Sequence, residues 1–206
     1  VGALLLPFSN LVRRSLVGNN YASNRRRLIL RHYDTDGLPF DNLITAPEDF
    51  SDVGWTKSQT SVLANNTTAP DGSLTADRIT NTGGASSVSF RGIACTKLDH
   101  YVSVYAKAGV GNNLLTVRSV SFDVSNDVGF NLNTGLIEPN RNGVMEFVGD
   151  GWYRCVVFNT ITLDDLVGDA YFYSSNALGG FTSTADDYLY LWGATLTQSP
   201  TIVDYL

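Results

Sequence analysis

YVSVYAKAG, residues 101–109, is the stretch on which the fold turns. Val102, Val104 and Ala106 alternate with Tyr101, Ser103, Tyr105 and Lys107, and in a pleated strand successive side chains point to opposite faces. One face is apolar and the other aromatic and polar, the pattern of a strand with one side on a core. YLYLWGATL, residues 188–196, repeats it: Leu189 and Leu191 share one face, and Tyr188, Tyr190 and Trp192 the other. From residue 42 onward no amphipathic pattern of helix length appears, and neither the GxGxxG nor the GxxxxGK[ST] phosphate loop is present, so a nucleotide-binding α/β fold is not expected.

Working outward, similar short runs fall at residues 60–64, 76–80, 87–93, 115–122, 128–132, 144–148, 152–158 and 170–174, separated by Gly, Asn, Asp and Pro. Ten strands with short turns predict an all-β fold, two antiparallel sheets packed face to face. The composition agrees, because only 17% of the 206 residues are charged, too few for a set of surface helices. Two turns are explicit. Pro70, Asp71 and Gly72 combine a preset φ, a side-chain acceptor and a residue tolerant of positive φ; Asp150 and Gly151 precede Trp152 in the same way.

The first 41 residues read differently, as an extended arm. Arg13, Arg14, Arg25, Arg26, Arg27 and Arg31 lie within the first 33 residues without a single acid, so that segment is +6; the eight remaining cations set against all twenty acids leave the rest at −12. Such asymmetry marks an arm that contacts something acidic. A short helix over residues 10–17, capped by Ser9 or Asn10, is the alternative, with Gly18, Asn19 and Asn20 ending it. Residues 3–6 are apolar, but the positive charge follows them and no small-residue cleavage site closes them, so a signal peptide is not expected. No run approaches the roughly 18 apolar residues that span a bilayer, and no membrane partner is expected. The chain opens on valine, which implies that something ahead of it has been removed.

Four blocks, in order, resemble a phage-encoded carbohydrate-binding-like module of tail-fibre and virion-surface proteins: NLITAPEDFSDVGWTKS (42–58) continued by TAPDGSLTADRIT (68–80), then YVSVYAKAG (101–109), GDGWYRCVV (149–157) and YLYLWGATL (188–196). In that family an asparagine and leucine open the domain, a glutamate, aspartate and phenylalanine precede a tryptophan, and a proline, aspartate and glycine turn leads into an alanine and aspartate strand. The similarity spans about three quarters of the chain. It implies a jelly-roll-type β-sandwich over residues 42–206 with no catalytic machinery, on the virion surface of a tailed bacteriophage, as a capsid decoration or a fibre or tail component. Residues 1–41 have no counterpart in it.

The residues themselves offer little chemistry. Nucleophilic catalysis needs a histidine beside a serine or cysteine, and the two histidines are His32, in the arm, and His100, expected at a surface or edge; no G-x-S-x-G elbow accompanies them. Glu48, Glu138, Glu146 and the aspartates sit mostly in turn contexts, which solvation and turn formation explain better than a paired-carboxylate glycosidase. No enzyme is expected. Cys95 and Cys155 lack CxxC spacing and read as two buried thiols, with a bond between them as the alternative. No cofactor is expected; a structural calcium is the one metal to weigh, since oxygen donors gather at Asp71 and Asp77, Asp164 and Asp165, and Asp186 and Asp187, although solvated acidic loops explain them as well.

Three functions follow as expectations. The first is structural: the sandwich projects from the particle while the arm orders against other virion proteins. Its arginines would make bidentate bonds to carboxylates, and Leu4, Leu5, Leu6 and Phe8 would fill a groove or meet about the axis of a homotrimer. The second is recognition of cell-surface glycan. Aromatic faces stack on sugar rings, and parity nominates Tyr105, Tyr188, Tyr190 and Trp192, with Tyr171 and Tyr173 beside them; core packing or an oligomer interface is the competing use of such residues. The third, nucleic-acid contact by the arm, ranks lower because the acidic body repels a duplex.

Overall fold

A computed structural model describes residues 42–94, 99–111, 113–121, 125–159 and 167–198. The arm expected over residues 1–41, with Leu5, Phe8, Arg13, Arg14, Arg25, Arg26, Arg27 and Arg31, lies outside them, as do His32, Cys95, Asp164 and Asp165. Among the described residues the regular elements are twelve strands: β1 (Trp55–Ser58), β2 (Thr60–Thr67), β3 (Ala76–Asn81), β4 (Ser87–Ile93), β5 (His100–Val110), β6 (Leu114–Ser121), β7 (Ser125–Asn131), β8 (Leu136–Ile137), β9 (Gly143–Gly149), β10 (Trp152–Asn159), β11 (Gly168–Ser175) and β12 (Tyr188–Gln198). No helix among them is long and apolar enough to cross a membrane.

The strands form two six-stranded antiparallel sheets, β1-β4-β11-β6-β7-β8 and β2-β3-β12-β5-β10-β9. The chain crosses between them after β1, β3, β4, β5, β8, β10 and β11. This is a jelly-roll-type β-sandwich, as the alternation and the resemblance imply. All ten expected strands are present with small shifts at their ends; β2 runs on to Thr67 past a register shift, and β7 starts three residues early, at Ser125. β1 and β8 were not expected. Four residues with one large apolar side chain, and two residues, are too short to display an alternation, and both exist because a neighbouring strand offers partners: Phe90 opposite Trp55, and Phe130 opposite Ile137.

The inward faces make the core. In the first sheet one transverse row reads Val88, Phe172, Val117, Val128, each buried. Val102, Val104, Ala106, Leu189, Leu191 and Leu196 belong to the same core from the second sheet, as the parity of residues 101–109 and 188–196 requires. Phe50 and Trp55 close one flank, with ring centroids 4.6 Å apart and Phe172 edge-on to Phe50 at 6.2 Å. Each such side chain contributes about 1.5–3 kcal/mol on burial.

Residues 42–54 hold no strand, yet side-chain caps bind them to the second sheet. Asn42 Nδ2 donates to the Ala194 carbonyl (2.9 Å) and Asn42 Oδ1 accepts from Leu196 N (3.1 Å). Asp77, 1% exposed, accepts Phe50 N on Oδ2 and Asn65 N on Oδ1, each at 2.8 Å. Burial pushes its carboxyl above the ordinary value of 3.8, and the two N–H donors offset part of that rise. The expected turns are both formed. Ala69 N donates to Ser73 O (2.8 Å) around Gly72, whose φ is 92°, and Asp150 and Gly151 take φ of 49° and 80°, the two positive values a tight hairpin of the right twist demands.

His100 corrects an expectation. It is 3% exposed, because β5 lies between β12 and β10, and it sits opposite both Gln198 and Asn159. Its Nε2 is 2.8 Å from Gln198 Nε2. Cys155 is a buried thiol in the core, pushed well up by that burial.

Candidate functional site

The outward face of the second sheet collects the residues that parity nominated. Because strand register aligns side chains across a sheet, the face can be read in rows. One row runs Arg78 (β3), Tyr190 (β12), Lys107 (β5), Trp152 (β10). The next runs Trp192, Tyr105, Arg154, Glu146, and the one after it Thr195, Ser103, Val156, Val144. A fourth holds Thr197, Tyr101 and Phe158. Tyr188 stands one row above Tyr190, opposite Thr80.

These aromatics divide by burial. Tyr105 is 0% exposed, Trp152 1% and Trp192 1%, and with Ala69 and Ala76 they form a second apolar cluster on the outer side of the sheet. The connection between β2 and β3 lies over them. Trp152 Nε1 donates to the Thr68 carbonyl (3.1 Å), and Trp192 Nε1 donates to Thr75 Oγ1 (2.9 Å). Both indole N–H groups are therefore committed within the fold. Tyr105 and Trp192 act as a floor.

Tyr188 and Tyr190 are only half-buried, edge to face with ring centroids 5.6 Å apart. Arg78 lies flat over Tyr188, its guanidinium carbon 3.8 Å from the ring centroid, and its Nε donates to Thr80 Oγ1 (3.1 Å). Lys107 Nζ stands 5.9 Å from the centre of the Trp152 ring. Burial first, then the hydrogen bond and proximity of Tyr188, push the Tyr190 phenol up, with Arg78 opposing. At neutral pH it is an uncharged hydroxyl that can donate and accept.

The other candidate pair lies on the far side of the molecule. Tyr171 and Tyr173 on β11 stack with centroids 5.9 Å apart and planes 15° from parallel, and Phe181 meets Tyr173 edge-on at 4.9 Å. Tyr171 donates its hydroxyl to Asp169 Oδ2 (3.0 Å), and Arg118, beside Phe181, is paired with Asp127 at 3.2 Å. Parity thus named six aromatics without separating two opposite faces, because it is a property of each strand alone.

The calcium expectation finds no donor set in the described residues, where no group of three or more His, Cys, Asp or Glu is placed to hold a metal. Asp77 spends both oxygens on backbone N–H groups, and Asp71 Oδ1 accepts Ser73 N and Ser73 Oγ within its turn. Arg78 and Lys107 were not foreseen as site residues. Lys107 shares the parity of Tyr105 and was visible in principle, whereas Arg78 joins the site only through the pairing of β3 with β12.

No known family's sequence profile matches the chain. No curated protein matches it either. Solved structures do share its architecture. The tailspike protein 4 enzymatically active domain of bacteriophage CBA120 is 13% identical with a TM-score of 0.48; the match covers 77% of this chain but only 21% of that one. The CBM22-1 xylan-binding domain from Paenibacillus barcinonensis Xyn10C is 14% identical over 79% of this chain and 97% of its own, with a TM-score of 0.47. TmCBM61, solved in complex with β-1,4-galactotriose, is 10% identical over 77% and 99%, with a TM-score of 0.44. At these identities the likeness concerns the fold.

Proposed function

We propose that this chain is a glycan-binding β-sandwich module that holds its ligand without turning it over, on the outward face of the second sheet. One observation carries the reading. Tyr188 and Tyr190 are half-exposed rings on a rigid central strand, backed by the buried floor of Tyr105, Trp152 and Trp192 and flanked by Arg78 and Lys107. Stacking on an apolar sugar face and donating to its hydroxyls is what such a row can do, and a platform fixed by packing loses little entropy on binding.

The test is a glycan array probed with the whole chain and with Tyr190→Ala. Binding that Tyr190→Ala lowers about tenfold or more, with an unchanged unfolding midpoint, supports the reading. A folded chain that retains no glycan on a broad array overturns it, and release of new reducing ends from a bound glycan would overturn the non-catalytic part.

A second element of the proposal is that the module is carried on the surface of a tailed phage particle and assembled as a homotrimer; the charge asymmetry supports one part of it, docking of the arginines of the first 33 residues on an acidic neighbour. Deleting residues 1–33 should abolish incorporation into particles while leaving glycan binding intact. Unaltered incorporation sinks the docking role, and a monomeric mass in solution sinks the trimer.

A further inference from the structure

We infer that the glycan held on this face is anionic, a polysaccharide bearing sugar carboxylates, recognised by Arg78 and Lys107 on either side of Tyr190. The inference rests on the glycan-binding reading and names the class of ligand. Its ground is the distribution of cations in an acidic body. Of the seven described cations, Arg91, Arg118 and Arg141 are paired with Asp169, Asp127 and Glu138. Lys57 donates its ammonium to the carbonyls of Ser51 and Asp52, and Arg154 is buried opposite Glu146. The remaining two are Arg78 and Lys107, neither in contact with a carboxylate among the described residues. They occupy one row, one on each side of Tyr190.

With neighbouring strands about 4.8 Å apart, the two cations flank the tyrosine across roughly 10 Å. Arg78 is held against the Tyr188 ring, which sets its orientation before a ligand arrives, and Lys107 Nζ stands 5.9 Å from the centre of the Trp152 ring. Arg78 presents the planar fork that matches a carboxylate, and Lys107 a point charge. A neutral sugar hydroxyl can accept a bond from either cation, but only a carboxylate adds the attraction of two opposite full charges and accepts both arms of the arginine fork. In a chain that is −12 from residue 34 onward, a pair of positive charges that touches no carboxylate among the described residues is a discriminating element, since the surrounding field repels any anion that does not reach it.

The experiment compares the whole chain with Arg78→Gln and Lys107→Gln on uronate polymers (polygalacturonate, alginate, hyaluronan), on the carboxyl-reduced form of each, and on dextran sulfate. The arm is common to all three proteins and adds its own affinity for a polyanion to each, so the sheet face is read from the difference between parent and variant on the same polymer. At least one uronate polymer should bind more tightly than its reduced form, with affinity falling as salt rises, and each substitution should cost about three- to tenfold on the uronate and less on the reduced polymer. Equal affinity for every uronate and its reduced form, or no difference between parent and either variant, overturns the inference while glycan binding stands. Dextran sulfate binding that Arg78→Gln and Lys107→Gln lower as much as they lower uronate binding overturns the assignment to carboxylates. Binding to no polymer of any kind defeats the glycan reading itself.

Discussion

The two outer faces of this sandwich are built from the same parts and put to different use. Each carries a tyrosine pair two residues apart on one strand, Tyr171 and Tyr173 on β11 and Tyr188 and Tyr190 on β12, with an arginine against a ring. On the first sheet the polar groups are consumed internally: Tyr171 bonds Asp169, Arg91 pairs with Asp169, and Arg118 pairs with Asp127. On the second sheet no described acid stands in contact with Arg78 or Lys107. Aromatic content alone therefore does not distinguish a surface from a site; what distinguishes them is whether the charges beside the rings are already satisfied.

The contrast can be broken most severely at the floor of the second face. Trp192→Ala should cost about 3–5 kcal/mol in urea unfolding, since it leaves a cavity in place of a fully buried ring and removes the bond from its indole N–H to Thr75 Oγ1, whereas Tyr190→Ala, two residues away and half-buried, should cost less than about 1 kcal/mol. Similar losses for the two would show that the tyrosine is structural as well.

A second test compares a carboxylate from each sheet, the buried Asp77 and the partly exposed Asp127. Burial raises both; two backbone N–H groups oppose it at Asp77, and Arg118 with Arg141 opposes it at Asp127. Asp77→Asn should lose about 1–3 kcal/mol, because an amide cannot accept from both Phe50 N and Asn65 N. The pH dependence has a definite sign. A carboxyl raised in the folded state binds its proton more readily there than in the unfolded chain, so the ionised form weakens the fold. The advantage of the parent protein over Asp77→Asn should be full below the ordinary value of 3.8, shrink as pH rises from there through the raised one, and stay level above it. An advantage that instead grows over that window would reverse the direction assigned to Asp77.

Binding sharpens the comparison next. Tyr171→Ala and Tyr173→Ala should leave glycan affinity within about twofold of the parent while Tyr190→Ala lowers it about tenfold, read by isothermal titration. Losses on both faces would mean that both bind. The smallest expected effect is Asp127→Asn: uncoupling a partly exposed Arg118 should change stability by no more than about 1 kcal/mol and affinity not at all.

Much of this was legible in the chain. Period-two parity placed Val102, Val104 and Ala106 inward and Tyr105 and Lys107 outward, and the turns at Gly72 and Gly151 needed only their local residues. β1 and β8 were not, since strands so short are recruited by their neighbours, and His100 was misplaced because nothing near it announces that β5 runs down the middle of a sheet.

What the sequence settled by itself is which side chains share a face of each strand, because the pleat is a local consequence of backbone geometry. Tertiary structure alone decided which of those side chains are covered and which are neighbours. Thr75 reaches Trp192 across 117 residues to bury it, and β3 pairs with β12 to set Arg78 beside Tyr190. Both outcomes depend on contacts between distant segments, and no property of either segment in isolation specifies the other.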